Sequence, residues 1–171
     1  QMGIPWRRGY LFHGPPGTGK TSAAYALAAE LRLKLCALSL ANPKLNDNTL
    51  ADLLQRTPPR SLILIEDIDA FFSAREKQDE RMHISFSGLL NALDGVGAQE
   101  GRIIGLTTNH RDKLDAALIR PGRIDVEEEL GEVGDQVVAV ALAEHRRQRG
   151  GPGHGRRSVN HVRLVGEHAG N

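Results

Sequence analysis

Apolar residues in the first 130 positions fall into short continuous runs and into longer stretches with helical spacing. The continuous runs have the length of buried strands and lie at 9–13, 33–40, 61–67, 102–109 and 124–130. The stretches with helical spacing lie at 19–31, 49–56, 84–93 and 112–119. Because strands and helices alternate, the pattern predicts an α/β domain with a mostly parallel sheet flanked by helices.

Polar residues between these segments predict where helices begin and where loops lie. Thr18 is a candidate N-cap for the first helix, and Asn46 to Thr49 offer caps for the second. The charged stretch 74–81 is typical of an exposed loop.

The character of the chain changes after residue 130. The segment VVAVALAEH is compatible with one helix, and the stretch that follows is rich in Gly, Arg and His, as in a flexible tail. Four of the seven histidines follow residue 144, but their spacing matches no standard metal-ligand set. We therefore divide the chain into a core at 1–130 and an atypical, flexible tail at 131–171, for which an aberrant reading frame is a second explanation.

Composition and charge limit the class of protein. A chain of 171 residues with 40% hydrophobic residues is long enough for one domain with its own core. The net charge is +1 and no basic stripe is present, which argues against nucleic acid as a partner. A single cysteine, Cys36, excludes an internal disulfide framework and suits a small buried hydrophobe. No apolar run in the sequence approaches the ~20 residues that span a bilayer.

A glycine-rich segment between the first strand and the first helix matches a phosphate-binding loop. GPPGTGKT at 14–21 fits G-x-x-x-x-G-K-[ST] in the strand–loop–helix context that this motif requires. Backbone N–H groups of such a loop surround phosphates, Lys20 supplies a point charge and Thr21 offers a hydroxyl to Mg²⁺. The alternative is a Gly-Pro turn with an exposed lysine. The predicted nucleotide-binding residues are Gly14, Pro15, Pro16, Gly17, Thr18, Gly19, Lys20, Thr21 and Ser22.

The apolar run LILIEDID ends in acidic residues, as expected of a strand that delivers carboxylates to a ligand at the carboxyl edge of a parallel sheet. By position, Glu66 is predicted to coordinate Mg²⁺, mostly through water, and Asp67 to polarise the attacking water. An N-cap role at the next helix is an alternative for Asp67 and is the preferred interpretation of Asp69.

Polar residues nearer the end of the core complete the candidate catalytic set. Asn109, which ends the segment TTN, is placed to hold the attacking water or the γ-phosphate, and a turn role is the alternative. Arg120 and Arg123 flank a Pro-Gly turn that projects both guanidinium groups, as arginine fingers acting on a neighbouring subunit's nucleotide require. The alternative for either arginine is a salt bridge to Asp115 or Asp125.

Together these motifs resemble one family. GPPGTGKT, LIEDIDAFF, GLLNALDGV, TTNH and LDAALIRPGRID stand in the order and spacing of AAA ATPases, from about Gly3 to Val126. GIPWRRGYLFHGPPGTGKTS, SFSGLLNALDGV and the order Glu66-Asp67, inverted relative to most AAA proteins, are similar to one subgroup. That subgroup comprises mitochondrial inner-membrane chaperones that translocate the folded Rieske iron–sulfur protein during assembly of respiratory complex III, and fungal relatives are similar too.

The resemblance implies a P-loop NTPase fold, Mg-ATP as ligand and ATP hydrolysis as the reaction. It implies a homo-oligomeric ring, heptameric in this subgroup, that passes a folded client across the mitochondrial inner membrane. It assigns the phosphate loop, acidic pair, sensor and fingers to the residues named above. It places a transmembrane helix and a middle domain ahead of such a core, so we expect membrane attachment only through an anchor that this sequence does not include.

Two segments depart from the pattern of the wider family. The stretch LANPKLNDN stands where threading unfoldases carry an aromatic pore loop, which argues against threading an unfolded client and agrees with the subgroup. A helical lid should follow residue 130, but residues 131–171 do not resemble one. The lid is therefore predicted to be missing, and no second sensor arginine is assigned.

Three functions compete at this point. The leading one is an ATPase motor of the Rieske-translocase type. The second is a non-hydrolysing, nucleotide-dependent scaffold, which a missing lid favours. The intact Lys20, Asp67 and Asn109 and both candidate finger arginines oppose it. The third is a DNA clamp loader or helicase, which the near-neutral charge opposes because phosphate backbones demand clustered Lys and Arg.

Overall fold

Five parallel strands form one sheet in the computed structural model, which describes residues 8–77, 82–97 and 101–131. The strands are β1 Arg8–His13, β2 Lys34–Ser39, β3 Ser61–Glu66, β4 Arg102–Thr108 and β5 Val126–Glu129. Their order across the sheet is β2-β3-β4-β1-β5. Each strand lies on one of the predicted apolar runs, so the predicted α/β fold with a parallel sheet is confirmed.

Helices connect the strands and cover both faces of the sheet. Within the described residues they are α1 Lys20–Glu30, α2 Asp47–Gln55, α3 Ile68–Glu76, α4 Phe86–Gly97 and a 3₁₀ helix at Arg111–Lys113. Helices α1 and α2 match the predicted stretches closely, whereas α4 starts later and extends further than its apolar spacing indicated.

The two predicted helix caps have different outcomes. Asn46 caps α2 by accepting a hydrogen bond from the Thr49 N–H at 3.0 Å, and the Thr49 hydroxyl accepts from the Asn46 N–H at 2.8 Å. This reciprocal pair is a capping box, so a cap in that segment is confirmed. The prediction for Thr18 is wrong, because Gly19 is the N-cap of α1 and the Thr18 hydroxyl instead donates to the Pro15 carbonyl at 2.8 Å.

Two local predictions fail for identifiable reasons. The loop predicted at 74–81 is helical as far as Glu76, because the buried Phe71 and Phe72 extend the apolar face of α3; residues 78–81 lie outside the described residues. The helix predicted at 112–119 is reduced to the 3₁₀ helix, which extended backbone at Leu114 ends. Asp115 then forms a local turn by accepting from the Ala117 N–H at 2.8 Å.

Alternation along the central strands divides the hydrophobic core into two layers. Leu62 and Leu64 of β3 pack in the layer that includes α1, whereas Ile63 and Ile65 pack in the larger layer that includes α2, α3 and α4. Cys36 on β2 is a free thiol that packs against the larger layer, as predicted for a hydrophobe, but it is half-buried rather than buried. Both faces of β3 and β4 are covered, which explains their continuous apolar sequences.

The topology places several chemically distinct segments at one edge of the sheet. Because all five strands are parallel, the loop after β1, the acidic residues after β3 and the polar residues after β4 leave from the same carboxyl edge. The candidate catalytic segments are therefore brought together by strand order rather than by proximity in sequence.

The predicted tail and its possible helix lie almost entirely outside the described residues, as do its four histidines and the position of the predicted lid. In the part of the chain that the structure describes, no helix has the length and apolar character needed to cross a membrane.

Candidate nucleotide-binding site

The loop between β1 and α1 has a backbone that its glycines make possible. Gly14, Gly17 and Gly19 have φ values of 139°, 79° and 84°, which L side chains rarely adopt. A Cβ atom at Gly14 would lie 2.2 Å from the Leu130 carbonyl oxygen, whereas no atom lies within 4 Å of a Cβ added at Gly17 or Gly19. The first glycine is thus required by close packing, and the other two border open space at the start of α1.

Lys20 is a buried cation whose hydrogen bonds go to uncharged groups. Its side chain is 7% exposed, and Nζ donates to the carbonyl oxygens of Gly14 at 3.0 Å and Pro15 at 2.7 Å. Burial lowers the pKa of Lys20, and the negative charges of Asp67 and Asp69 act in the opposite direction. An anion held by the loop would offset the cost of this burial, since the N-terminus of α1 also favours negative charge.

Thr21 and Glu66 place two oxygen ligands side by side. The Thr21 hydroxyl donates to Glu66 Oε1 at 3.0 Å, which links the first turn of α1 to the end of β3. Hydroxyl and carboxylate oxygens are ligands that Mg²⁺ accepts, and Mg²⁺ commonly binds through one or two carboxylates together with substrate phosphates. The donor set therefore fits the metal predicted for these two residues.

Asp67 follows β3 in the left-handed backbone conformation, which is uncommon for residues other than glycine. Its φ and ψ are 49° and 51°, in the left-handed region, and its N–H donates to the Thr107 hydroxyl at 3.0 Å. Asp67 occupies the N-cap position of α3, but its side chain makes no capping hydrogen bond and is exposed. The carboxylate of Asp67 is therefore available to a ligand at the sheet edge.

Asp69 has a different role from the one preferred on sequence grounds. It lies inside the first turn of α3, is 9% exposed, and its Oδ1 accepts from the Thr108 hydroxyl at 2.7 Å and the Asn109 N–H at 3.1 Å. The N-cap interpretation of Asp69 is wrong because its carboxylate faces the end of β4 rather than the helix N-terminus. Asn109 itself is half-buried directly after β4.

The two candidate finger residues differ sharply in environment. Arg123 is 8% exposed and forms a bidentate ion pair with Asp94 of α4, with N···O distances of 2.8 and 2.7 Å. Its Nη1 also donates to the Ala117 carbonyl at 2.6 Å. Arg120 is exposed on the same turn. Arg123 is therefore bound within its own chain, whereas Arg120 is exposed to solvent among the described residues.

Asp115 and Asp125, the ion-pair partners considered from sequence, bond to backbone groups instead. Asp125 accepts from the Gly9 N–H at 3.1 Å and the Gly122 N–H at 2.9 Å, so it fastens the turn to the start of β1. An ion pair for Arg123 is therefore confirmed as a type of interaction, but its predicted partners are wrong.

Several of the contacts that organise the site were not predicted from sequence. Asp94 sits in a helical pattern, where an acidic residue is ordinary, and carries no signal that it pairs with a distant arginine. Thr107 and Thr108 were quoted within the segment TTN, and their position before the predicted sensor was the available signal. Asp69 had a signal in the spacing of the acidic run, but a capping role competed with it.

The described residues bring together the phosphate loop with the buried Lys20 and the Thr21–Glu66 contact. Asp67 follows directly after Glu66 at the end of β3. This arrangement on a parallel sheet is that of a P-loop nucleotide-binding protein. A model of the family described as "ATPase family associated with various cellular activities (AAA)" matches residues 10–132. The chain belongs to the AAA family.

Two relatives illustrate the part of the family to which the chain is similar. It is 54% identical over 132 residues to the "Probable mitochondrial chaperone bcs1" of Schizosaccharomyces pombe, and 52% identical over 136 residues to the "Mitochondrial chaperone BCS1" of Homo sapiens. Each alignment covers 75% of this chain but 29% and 32% of the respective relative. The resemblance to this chaperone subgroup is confirmed, and the chain spans about a third of the length of these relatives.

Proposed function

We propose that this chain binds Mg-ATP at the carboxyl edge of its sheet and hydrolyses it as part of a ring. The observation that carries the proposal is the buried Lys20 beside the Thr21–Glu66 contact, since both are complementary to a metal-bound polyphosphate. The membership of the AAA family supports the same reaction class.

Each group of the site has a distinct part in this proposal. The phosphate loop, with Ser22 beside it, binds the triphosphate through backbone N–H groups, and Lys20 holds its β- and γ-oxygens. Thr21 contributes its hydroxyl and Glu66 its carboxylate, mostly through water, to Mg²⁺. When bound, Mg²⁺ neutralises charge on the phosphates. These contacts fix the terminal phosphate facing the end of β3.

Asp67 and Asn109 are the proposed catalytic pair. Asp67 accepts a hydrogen bond from the attacking water and, as general base, takes its proton. Its carboxylate is exposed and lies one residue beyond Glu66, at the same edge of the sheet. Asn109 orients that water or the terminal phosphate from the end of the adjacent strand β4. Aspartate is shorter than the glutamate that most of the family has at this position, so its backbone position has to be well defined.

Arg120 is the proposed arginine finger. It is exposed on a turn that is anchored on both sides, which suits a group that reaches a nucleotide on a neighbouring subunit. Arg123, predicted as a second finger, makes its hydrogen bonds to Asp94 and to a backbone carbonyl, and we assign it the support of that turn. The assembly that follows is a homo-oligomeric ring, and we propose a heptamer by similarity to the subgroup.

The proposed client is a folded protein, and the proposed setting is the assembly of respiratory complex III at the mitochondrial inner membrane. Support comes from the similarity to mitochondrial chaperones and from the absence of an aromatic residue in the stretch 40–48, which argues against threading of an unfolded chain. The Rieske iron–sulfur protein is the candidate client.

Steady-state ATP hydrolysis by the whole chain, measured over a range of protein concentrations, tests the proposal. Specific activity should rise with concentration, since the finger acts between subunits, and Lys20→Ala should abolish both nucleotide binding and turnover. Asp67→Asn should bind ATP but not hydrolyse it. Arg120→Ala should bind ATP normally as a monomer and lose the part of the ATPase activity that depends on protein concentration. Arg56 is an exposed arginine at the end of α2, and Arg56→Ala serves as the control that should keep this activity.

Two results would reject this mechanism. ATP binding without turnover at every concentration would support the scaffold alternative. Equal loss of nucleotide binding in isolated Arg120→Ala subunits would reject the action of Arg120 in trans.

A further inference from the structure

The carboxyl ends of β3 and β4 are joined by side-chain hydrogen bonds that the proposed chemistry does not itself require. The Thr107 hydroxyl accepts from the Asp67 N–H at 3.0 Å. Asp69 Oδ1 accepts from the Thr108 hydroxyl at 2.7 Å and from the Asn109 N–H at 3.1 Å. The bonds run in both directions between the two segments, so neither segment can shift along the strand axis without breaking at least one of them.

Burial makes these bonds difficult to replace with bonds to water. Thr107 and Thr108 are 1% and 0% exposed, and Asp69 is 9% exposed. A buried carboxylate is retained only when donors satisfy it, and here the donors come from consecutive residues at the end of β4. The Thr108 oxygen also accepts from the His110 N–H at 3.0 Å, which fixes the chain on the far side of Asn109.

The backbone of Asp67 gives the contact with Thr107 a specific purpose. The left-handed region is uncommon for residues other than glycine, although Asp adopts it more readily than most, and contacts with the surroundings help to hold Asp67 there. The Thr107 hydroxyl binds the N–H of this residue, and the next residues begin α3, so Asp67 is fixed from both sides. The direction in which its carboxylate leaves the backbone is therefore set by a side chain of the adjacent strand.

We infer that Asp69, Thr107 and Thr108 are positioning residues that form a latch between β3 and β4, and that the latch sets the distance between Asp67 and Asn109. The inference rests on the proposed roles of Asp67 as base and Asn109 as sensor. None of the three latch residues contacts the reacting atoms; they act through the backbone of the two that do. A shift of these strand ends would misalign the water while leaving the phosphate loop intact.

Kinetics separate this positioning role from a general contribution to folding. Thr107→Val keeps the shape of the side chain and removes the acceptor for the Asp67 N–H. We expect kcat to fall by about tenfold to a hundredfold, because catalysis is sensitive to small misplacements. The equilibrium affinity for a fluorescent ATP analogue should stay within about twofold, since Lys20 and Thr21 are unchanged. Thr107→Ser keeps a hydroxyl and should restore most of kcat.

A matched control removes a threonine hydroxyl elsewhere in the chain. Thr57 donates to the Leu54 carbonyl at 2.5 Å at the opposite end of β3, so Thr57→Val should leave kcat and nucleotide affinity unchanged. Thr108→Val removes the hydrogen bond to Asp69, and Thr108→Ser should restore it. These two variants repeat the test, and they replace Thr107→Val and Thr107→Ser if Thr107→Val does not fold.

The outcomes distinguish the latch from the function on which it rests. If Asp67→Asn is inactive while Thr107→Val and Thr108→Val hydrolyse ATP at the normal rate, the latch is rejected and the proposed function stands. A variant that loses nucleotide affinity with kcat unchanged also rejects the latch. If Asp67→Asn itself hydrolyses ATP normally, the assignment of the base fails, whatever the threonine variants do.

Discussion

The ion pair between Arg123 and Asp94 gives the sharpest test of what stabilises the turn at residues 120–123, called the arginine turn below. Replacing Asp94 with Asn keeps the size of the side chain and removes the charge that Arg123 meets. The guanidinium is 8% exposed and would then be buried without a carboxylate partner. If Arg123 supports the turn, Asp94→Asn lowers the free energy of unfolding of the isolated subunit, and its effect is not confined to ATP hydrolysis.

The expected magnitude follows from burial on the two sides of the pair. A hydrogen bond to a charged group typically contributes about 1.5–3 kcal/mol to the free energy of unfolding. The Asp94 side chain is 46% exposed, so solvent screens part of the interaction. We therefore expect Asp94→Asn to lower the free energy of unfolding by about 1–2 kcal/mol, after discounting the charged hydrogen bonds for screening.

Urea unfolding of the nucleotide-free chain, followed by circular dichroism at low protein concentration, measures this directly. In a separate thermal melt, a loss of about 1–2 kcal/mol corresponds to a drop in melting temperature of about 2–8 °C for a chain of this size. Arg123→Ala should also lower the free energy of unfolding. Arg120→Ala should change the free energy of unfolding by less than about 0.5 kcal/mol, because the residue is exposed.

A clear result would refute this division of roles. If Asp94→Asn and Arg123→Ala were both as stable as the unmodified chain, the pair would not brace the turn in solution. Destabilisation by Arg120→Ala equal to that by Arg123→Ala would show that the two arginines are not distinguished by burial. In either case, Arg123 would again be a candidate for a direct contact with a neighbouring subunit's nucleotide.

Two further predictions concern the same turn. The hydrogen bonds from Arg123 lower the pKa of Asp94. The ion pair therefore stabilises the folded chain fully above the ordinary carboxyl pKa of about 4, and this stabilisation is lost as pH falls through the lower pKa of the folded state. In urea unfolding, the difference in free energy of unfolding between Asp94→Asn and the unmodified chain should shrink below pH ~4, and a difference that stays constant would contradict the linkage. Gly9→Ala should destabilise the chain by about 2–3 kcal/mol in the same assay, because the added Cβ would lie 1.6 Å from the Arg123 carbonyl oxygen, and a neutral Ala would show that the turn is not packed against β1.

The fold was largely predictable because its strongest signals are local. Strands covered on both faces are continuous apolar runs, and β3 and β4 are visible in the sequence for that reason. The phosphate loop is contiguous, so its glycines, Lys20 and Thr21 appear together. Helix limits were less certain, since the end of α3 depends on packing of Phe71 and Phe72 that composition does not reveal.

The contacts that organise the site were not predictable, because they join residues far apart in sequence. Asp94 and Arg123 are separated by 29 positions, and Asp69 and Thr108 by 39. Each residue alone suits an ordinary local role, such as a helix surface, a cap or a strand end. The strand order, which brings the ends of β3 and β4 side by side, shows which role applies to Asp69 and Thr108.

The attachments of the arginine turn at 120–123 connect the proposed finger to the candidate nucleotide site of the same chain. Asp125 binds the turn to Gly9 at the start of β1, and the other end of β1 continues into the phosphate loop. Asp94 binds the same turn to α4, which packs in the larger core layer together with β3 and β4. The proposed finger is therefore attached to elements that also carry or support the chain's candidate nucleotide site. Because packed elements transmit displacement rather than absorbing it, movement of β1 or α4 would move Arg120 with it.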